Sequence, residues 1–152
     1  MGTWGAGNFD NDGAADYVGE LTDGWVATLV ANIEECFADK DRSAVDEDGE
    51  AVIMPSVAVM SVLCEHCQAQ PPKPEVVARW EQEYLAIYDD QIAGLDPNRG
   101  YADERRQLIV ETFTTLKAQS TTYWREYEEA LRSITITGRD NGLPPTEEKA
   151  GV

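Results

Sequence analysis

The sequence predicts an all-α fold, a single-domain bundle of about four helices with an irregular N-terminal arm and a disordered C-terminal tail. Three observations predict it. The 152 residues suit one domain that buries about two-thirds of its unfolded surface. Hydrophobic residues make up 42% and charged residues 27%, so a packed core is expected. Four segments repeat apolar residues in steps of three and four, the spacing of one helical face, and short loops join them. The helical domain is expected over residues 1–138, with residues 1–11 as its arm and residues 139–152 as the tail.

The arm is Gly-rich, with Trp4 and Phe9 among Gly2, Gly5 and Gly7. Its two aromatics are expected to anchor it to the core. The first helix is expected from about Asp12 to Ala38, with Val18, Leu21, Trp25, Leu29, Ile33 and Cys36 as its inner face. Asp10 or Asn11 can cap it, and Asp12 and Asp16 favour the positive end of its dipole. Gly24 costs about 1 kcal/mol inside a helix. Thr22 could instead cap a second helix, which leaves a break near residues 22–24 as the alternative.

Asp39 to Gly49 reads as a charged connector. Ala51 to Cys64 is apolar nearly all round, as a buried central helix would be, and Pro55 should kink it or mark its first turn. Val57, Val59 and Val62 also alternate as a strand would, but no neighbouring strand is visible to pair with them. Pro71-Pro72-Lys73-Pro74 is a stiff linker, and Pro74 suits the first position of a third helix. Val77, Trp80, Tyr84, Ile87 and Gln91 carry that helix to near Gly94, and Asp96-Pro97-Asn98-Arg99-Gly100 is a turn. The last helix is expected from near Ala102, about 30 residues or roughly 45 Å long. Its inner face would be Ile109, Phe113, Leu116, Ser120, Tyr123, Tyr127, Ala130 and Ile134, and Gly138 is its natural stop.

Charge separates the function classes. The chain holds 29 acidic and 12 basic residues, a net of −17. Residues 1–50 hold 13 acidic residues against Lys40 and Arg42, a net of −11. Such a field repels nucleic acid and anionic membrane and attracts cationic partners and divalent metals; solubility is its plainer explanation. The only basic pair, Arg105-Arg106, lies among Asp103, Glu104 and Glu111, so nucleic-acid binding is not expected. No stretch approaches 18 apolar residues, so no membrane span is expected. Met1-Gly2-Thr3-Trp4 has neither a basic nor an apolar leader, and Ala6 stands where myristoylation after Gly2 needs Ser or Thr. A cytoplasmic chain is expected, with Cys36, Cys64 and Cys67 reduced.

Catalytic chemistry finds little support. Cys64-Glu65-His66-Cys67 offers one C-x-x-C and an enclosed histidine, where structural zinc needs four ligands. Two thiols and a histidine at a helix end explain it as well. Asp10-Asn11-Asp12-Gly13 and Asp46-Glu47-Asp48-Gly49 resemble calcium loops, but Gly19 and Pro55 stand where the bidentate Glu belongs. Only His66 could serve a nucleophile. Glu126 and Glu129 have the spacing of a carboxylate pair in helical metal-dependent hydrolases, beside a core stripe where charges are usually solvated. No catalytic residue, metal site or cofactor is therefore assigned.

The opening Met1-Gly2-Thr3-Trp4-Gly5-Ala6-Gly7-Asn8-Phe9-Asp10-Asn11-Asp12-Gly13-Ala14-Ala15-Asp16 resembles the start of the bacterial family known as domain of unknown function 4259. The resemblance is strong over residues 1–18 and looser through about residue 132. It implies a small acidic helical protein and brings no activity or cofactor. If the opening string is a binding site, its members are Trp4, Phe9, Asp10, Asn11, Asp12 and Asp16. If it is a folding device, its aromatics sit on the core and its polar residues cap the helix.

The expected function is non-enzymatic binding of a basic protein partner, as an immunity protein or antitoxin masks a nuclease. One alternative is a carboxylate-based, divalent-metal-dependent hydrolase. The other is a homo-oligomeric structural subunit associating through exposed aromatics such as Trp124 or Tyr88.

Overall fold

A computed structural model describes residues 2–140, with the side chains of residues 2–135. Its helices are α1 (Asp12–Ala38), α2 (Met54–Cys67), α3 (Pro74–Gln91) and α4 (Tyr101–Asp140). A π-helical segment, Val45–Ile53, runs directly into α2, and a 3-10 turn, Ile92–Leu95, follows α3. Among the described residues there is no strand, only one antiparallel bridge between Thr3 and Asn11. The all-α bundle is as expected. The tail expected over residues 139–152 lies outside the described residues from 141 onward.

α1 is one helix without a break at residues 22–24. Asn11 caps it, its side-chain oxygen accepting from the Ala14 N–H at 2.9 Å. Thr22 does not cap a second helix; its hydroxyl donates to the Gly19 carbonyl of the turn before it. The inner face differs from the expected one. Thr22, Val26, Ile33 and Cys36 are buried, whereas Leu21 and Trp25 face outward. In the first half of the helix the buried row therefore lies one residue along from the expected one, while in the second half Ile33 and Cys36 are buried as expected. α1 packs against α2 and the π segment. In its first half the more apolar row is left on the outside.

The π segment replaces the end of the expected connector. Glu47 has φ −120° and ψ −132° within it, so the backbone is not helical there. Gly49 permits the close approach of this turn: a Cβ there would lie 2.7 Å from the Ala44 carbonyl oxygen and 2.9 Å from that of Ser43. Pro55 falls in the first turn of α2, directly after the π segment. Helix α2 is not enveloped as expected, since Val59 and Val62 are exposed. With the π segment it forms a 23-residue stretch, Val45–Cys67, long and apolar enough by composition to cross a membrane. This corrects the expectation that no such stretch exists, although here it packs against α1, α3 and α4.

The core joins Ile33 and Cys36 of α1 to Ile53, Met54, Val57 and Met60, to Val77, Trp80, Tyr84 and Tyr88 of α3, and to Ile109, Phe113 and Leu116 of α4. Each fully buried aliphatic or Phe side chain contributes about 1.5–3 kcal/mol of transfer free energy. Tyr88 is 1% exposed, and its hydroxyl donates to the Ala102 carbonyl, so it is a core residue and not an oligomer contact. Trp124 is half-buried: its Nε1 donates to the Pro71 carbonyl at 3.0 Å and Lys73 lies over its ring. With Ser120 donating to the Pro72 carbonyl, it latches the proline linker onto α4.

α4 is longer than expected. It starts at Tyr101 and continues through Gly138 to Asp140, so that glycine does not stop it. Its inner face ends sooner than expected. Ile109, Phe113, Leu116 and Ser120 are buried, Tyr123 is half-buried, and Tyr127, Ala130 and Ile134 are exposed. Beyond Trp124 every residue through Thr135 is exposed, because this half of α4 extends past the helices it packs against.

Candidate functional site

The N-terminal arm is a tight loop folded back on the start of α1. Trp4 N–H donates to the Asp10 carbonyl at 3.0 Å, Asp10 N–H to the Gly7 carbonyl, and Asp12 N–H to the Gly2 carbonyl. The carboxylate of Asp10 accepts from the Gly7 N–H at 2.7 Å, and that of Asp12 from the Gly2 N–H at 2.9 Å. The glycines follow from this arrangement. A Cβ at Gly7 would lie 2.6 Å from Asp10 Oδ2, and a Cβ at Gly5 would meet the same oxygen still more closely. Asp10, Asn11 and Asp12 thus have local work, closing the arm and capping the helix.

The six residues singled out in the opening string divide here. Asp10, Asn11 and Asp12 are joined through backbone N–H groups, and Phe9 is half-buried beside them. Trp4 is 61% exposed. The expectation that both aromatics anchor the arm on the core therefore fails for Trp4; backbone hydrogen bonds and carboxylates hold the arm instead. Asp16 is also exposed, one turn along the helix.

Behind the arm, the first half of α1 carries a feature that residue spacing assigned to the core. Tyr17, Leu21 and Trp25 recur every four residues and are 64%, 37% and 51% exposed. They form one ridge about 12 Å long. Asp16 and Glu20, each one residue before Tyr17 and Leu21, make a parallel acidic row beside the ridge, while Asp23 lies farther round the helix from Trp25; all three are exposed. Residues 1–39 contain eight carboxylates and no Lys, Arg or His. Among the described residues no ion pair involves Asp10, Asp12, Asp16, Glu20 or Asp23.

Elsewhere several carboxylates meet cations. Glu34 pairs with Arg79, Glu81 with Lys117, Asp48 with Arg42 at 2.7 Å, and Asp89 with Arg106 through two bonds at 2.8 and 2.9 Å. Burial works to raise the Glu34 carboxyl, but hydrogen bonds from Arg79 and Trp80 prevail and hold it below its ordinary value. The Arg106 guanidinium lowers Asp89.

The sequence reading missed a polar cluster at the π segment. Glu50 accepts from the Tyr84 hydroxyl at 2.6 Å and pairs with Arg105 of α4. Val45 N–H donates to the Gln91 side chain at 2.9 Å. Burial and the adjacent Glu50 carboxylate push the Tyr84 phenol far up, so it stays a donor. A cleft of about 340 Å³ opens beside this cluster, lined by Val45, Glu50, Tyr88, Ile92, Leu95 and Tyr101. With both Glu50 oxygens engaged, the arrangement ties three elements together and holds no unpaired base. The contact joins residues 55 positions apart, so local sequence carried no signal for it.

The other sequence motifs stay separate. Cys64 and Cys67 are free, and burial raises the Cys64 thiol to about 11. His66 is exposed at the end of α2 with Glu65 3.7 Å away. Asp46, Glu47 and Asp48 belong to the π segment. Glu126 and Glu129 stand on the exposed half of α4. Among the described residues no three His, Cys, Asp or Glu side chains converge as a metal site would require. A family model, Domain of unknown function (DUF4259), matches residues 2–133 of the chain. No curated protein and no solved structure matches it.

Proposed function

The chain belongs to the family Domain of unknown function (DUF4259), and we propose that it is a non-enzymatic binding protein for a basic partner. In this reading it acts in the cytoplasm as an immunity protein or antitoxin does, covering the cationic groove of a nuclease or similar protein. One observation carries the reading: the uneven pairing of its charges. Among the described residues, Asp48, Glu34, Glu83, Glu50, Asp89, Glu81 and Glu128 of the bundle pair with Arg or Lys, whereas Asp10, Asp12, Asp16, Glu20 and Asp23 of the arm and the first half of α1 form no ion pair. Unpaired carboxylates on one end of the molecule focus a negative field outward. That field raises association rates with cations and repels phosphate backbones and anionic lipid.

The test is binding to a basic protein encoded beside this chain, measured at 50 mM and 1 M salt. Affinity should fall steeply with salt, and Asp16→Asn/Glu20→Gln/Asp23→Asn should weaken it at low salt. Tight binding indifferent to both salt and that triple change would remove the proposal. A second reading, self-association, is favoured by the exposed stripe of Tyr127, Leu131 and Ile134 on α4. Light scattering checks it: a monomer at 100 μM counts against it.

A further inference from the structure

We infer that the ridge of Tyr17, Leu21 and Trp25 on α1 is the seat for a cationic amphipathic helix of the partner, its apolar face on the ridge and its Lys or Arg residues against Asp16 and Glu20. The inference rests on the basic-partner reading and names the part of that partner which makes contact. A surface used only for long-range attraction needs carboxylates and nothing more. Here three large apolar side chains stand in line on an exposed helix face, although Thr22 and Val26 one residue along fill the inner positions.

The spacing defines the occupant. Side chains at i, i+4 and i+8 form the ridge that packs into the groove of a second helix. Two turns of α1 match about two to three turns of such a helix. Asp16 and Glu20 run parallel to the ridge along one side, so a helix lying on the ridge has carboxylates along the N-terminal part of one flank. No Lys, Arg or His occurs among residues 1–39, and among the described residues Asp16 and Glu20 have no ion-pair partner to surrender. Charge complementarity therefore selects a helix with cations on that flank. An acidic helix, including a second copy of α1, would be repelled by the same row. Trp and Tyr supply the contact area that binding hot spots favour.

Two 18-residue peptides of identical composition test the seat. In one, leucines and lysines are placed so that the helix is amphipathic; in the other the same residues are scrambled. Affinities for the full chain are measured by calorimetry at 50 mM salt. The amphipathic peptide should bind at least about tenfold more tightly, and Leu21→Ser/Trp25→Ser should erase that preference. Both changed side chains are exposed, so circular dichroism should show the helix content unchanged; Tyr17→Ser provides a second variant on the same ridge. Leu131→Ser/Ile134→Ser on α4 should leave the preference intact. Equal binding of the two peptides overturns the seat while the basic-partner reading survives. Loss of preference in the α4 variant, with none in the α1 variant, overturns the seat as well. If neither peptide binds at low salt, both readings fall.

Discussion

Gly49 and Gly24 are the same residue in opposite situations. At Gly49 a Cβ would press on two backbone carbonyl oxygens and on the Tyr84 ring at 3.0 Å, and backbone cannot move aside cheaply. Gly49→Ala should therefore destabilise the fold by about 1–3 kcal/mol, the cost of overpacking. At Gly24, midway along α1, nothing lies within 4 Å of the Cβ position. Gly24→Ala should stabilise by about 0.5–1 kcal/mol, because only the backbone entropy of glycine is removed. Urea denaturation of the two variants checks both signs. The cost of Gly24 inside a helix was legible in sequence. The need for Gly49 was not, since it comes from the π turn that brings Ala44 and Ser43 back onto it. The opening string reads similarly: a cap at Asp10 or Asn11 follows from residue type, but the choice of Asn11 and the exposure of Trp4 do not.

At the level of helices, periodicity located each element and misjudged two faces. In α3 the row of Val77, Trp80 and Tyr84 is the buried row, because this helix has neighbours along its length. In the first half of α1 the covering surface meets Thr22 and Val26 instead of Leu21 and Trp25, and in α4 the expected row continues beyond the point where a neighbour exists. Apolar residues past that point are indistinguishable in sequence from core residues. The consequence is measurable in α4. Leu116→Ala should cost about 2–5 kcal/mol, as deletion of a fully buried leucine does. Leu131→Ser should change stability by no more than about 0.5 kcal/mol, as surface substitutions do. A loss above 1 kcal/mol for Leu131→Ser in dilute protein would mean that this stripe is covered in the folded chain.

Across the whole molecule, the charge of −17 opposes compaction, and the ion pairs offset it only within the bundle. Exposed like charges are screened by salt, with a Debye length of about 30 Å at 0.01 M and about 10 Å at 0.1 M. The melting temperature should therefore rise by several degrees between 10 mM and 500 mM sodium chloride. The exposed ion pairs work against this rise, but each is worth at most about 1 kcal/mol. A melting temperature that falls with salt would mean that those pairs outweigh the repulsion. The net charge and its concentration in the first third of the chain are sequence facts; which carboxylates remain unpaired is a structural one.

The helical class, the proline linker, a cap at Asp10 or Asn11 and the one-sided charge are all legible in the sequence. Those properties follow from residue types and short spacings along a single chain. Tertiary structure alone decided that Thr22 and Val26 turn inward while Leu21 and Trp25 turn out, that Glu50 meets Arg105 and Tyr84, and that α4 outruns its core. A hydrophobic period states that a face wants cover, but burial depends on which surface arrives to cover it. That surface comes from residues distant in sequence, whose arrival no local pattern records.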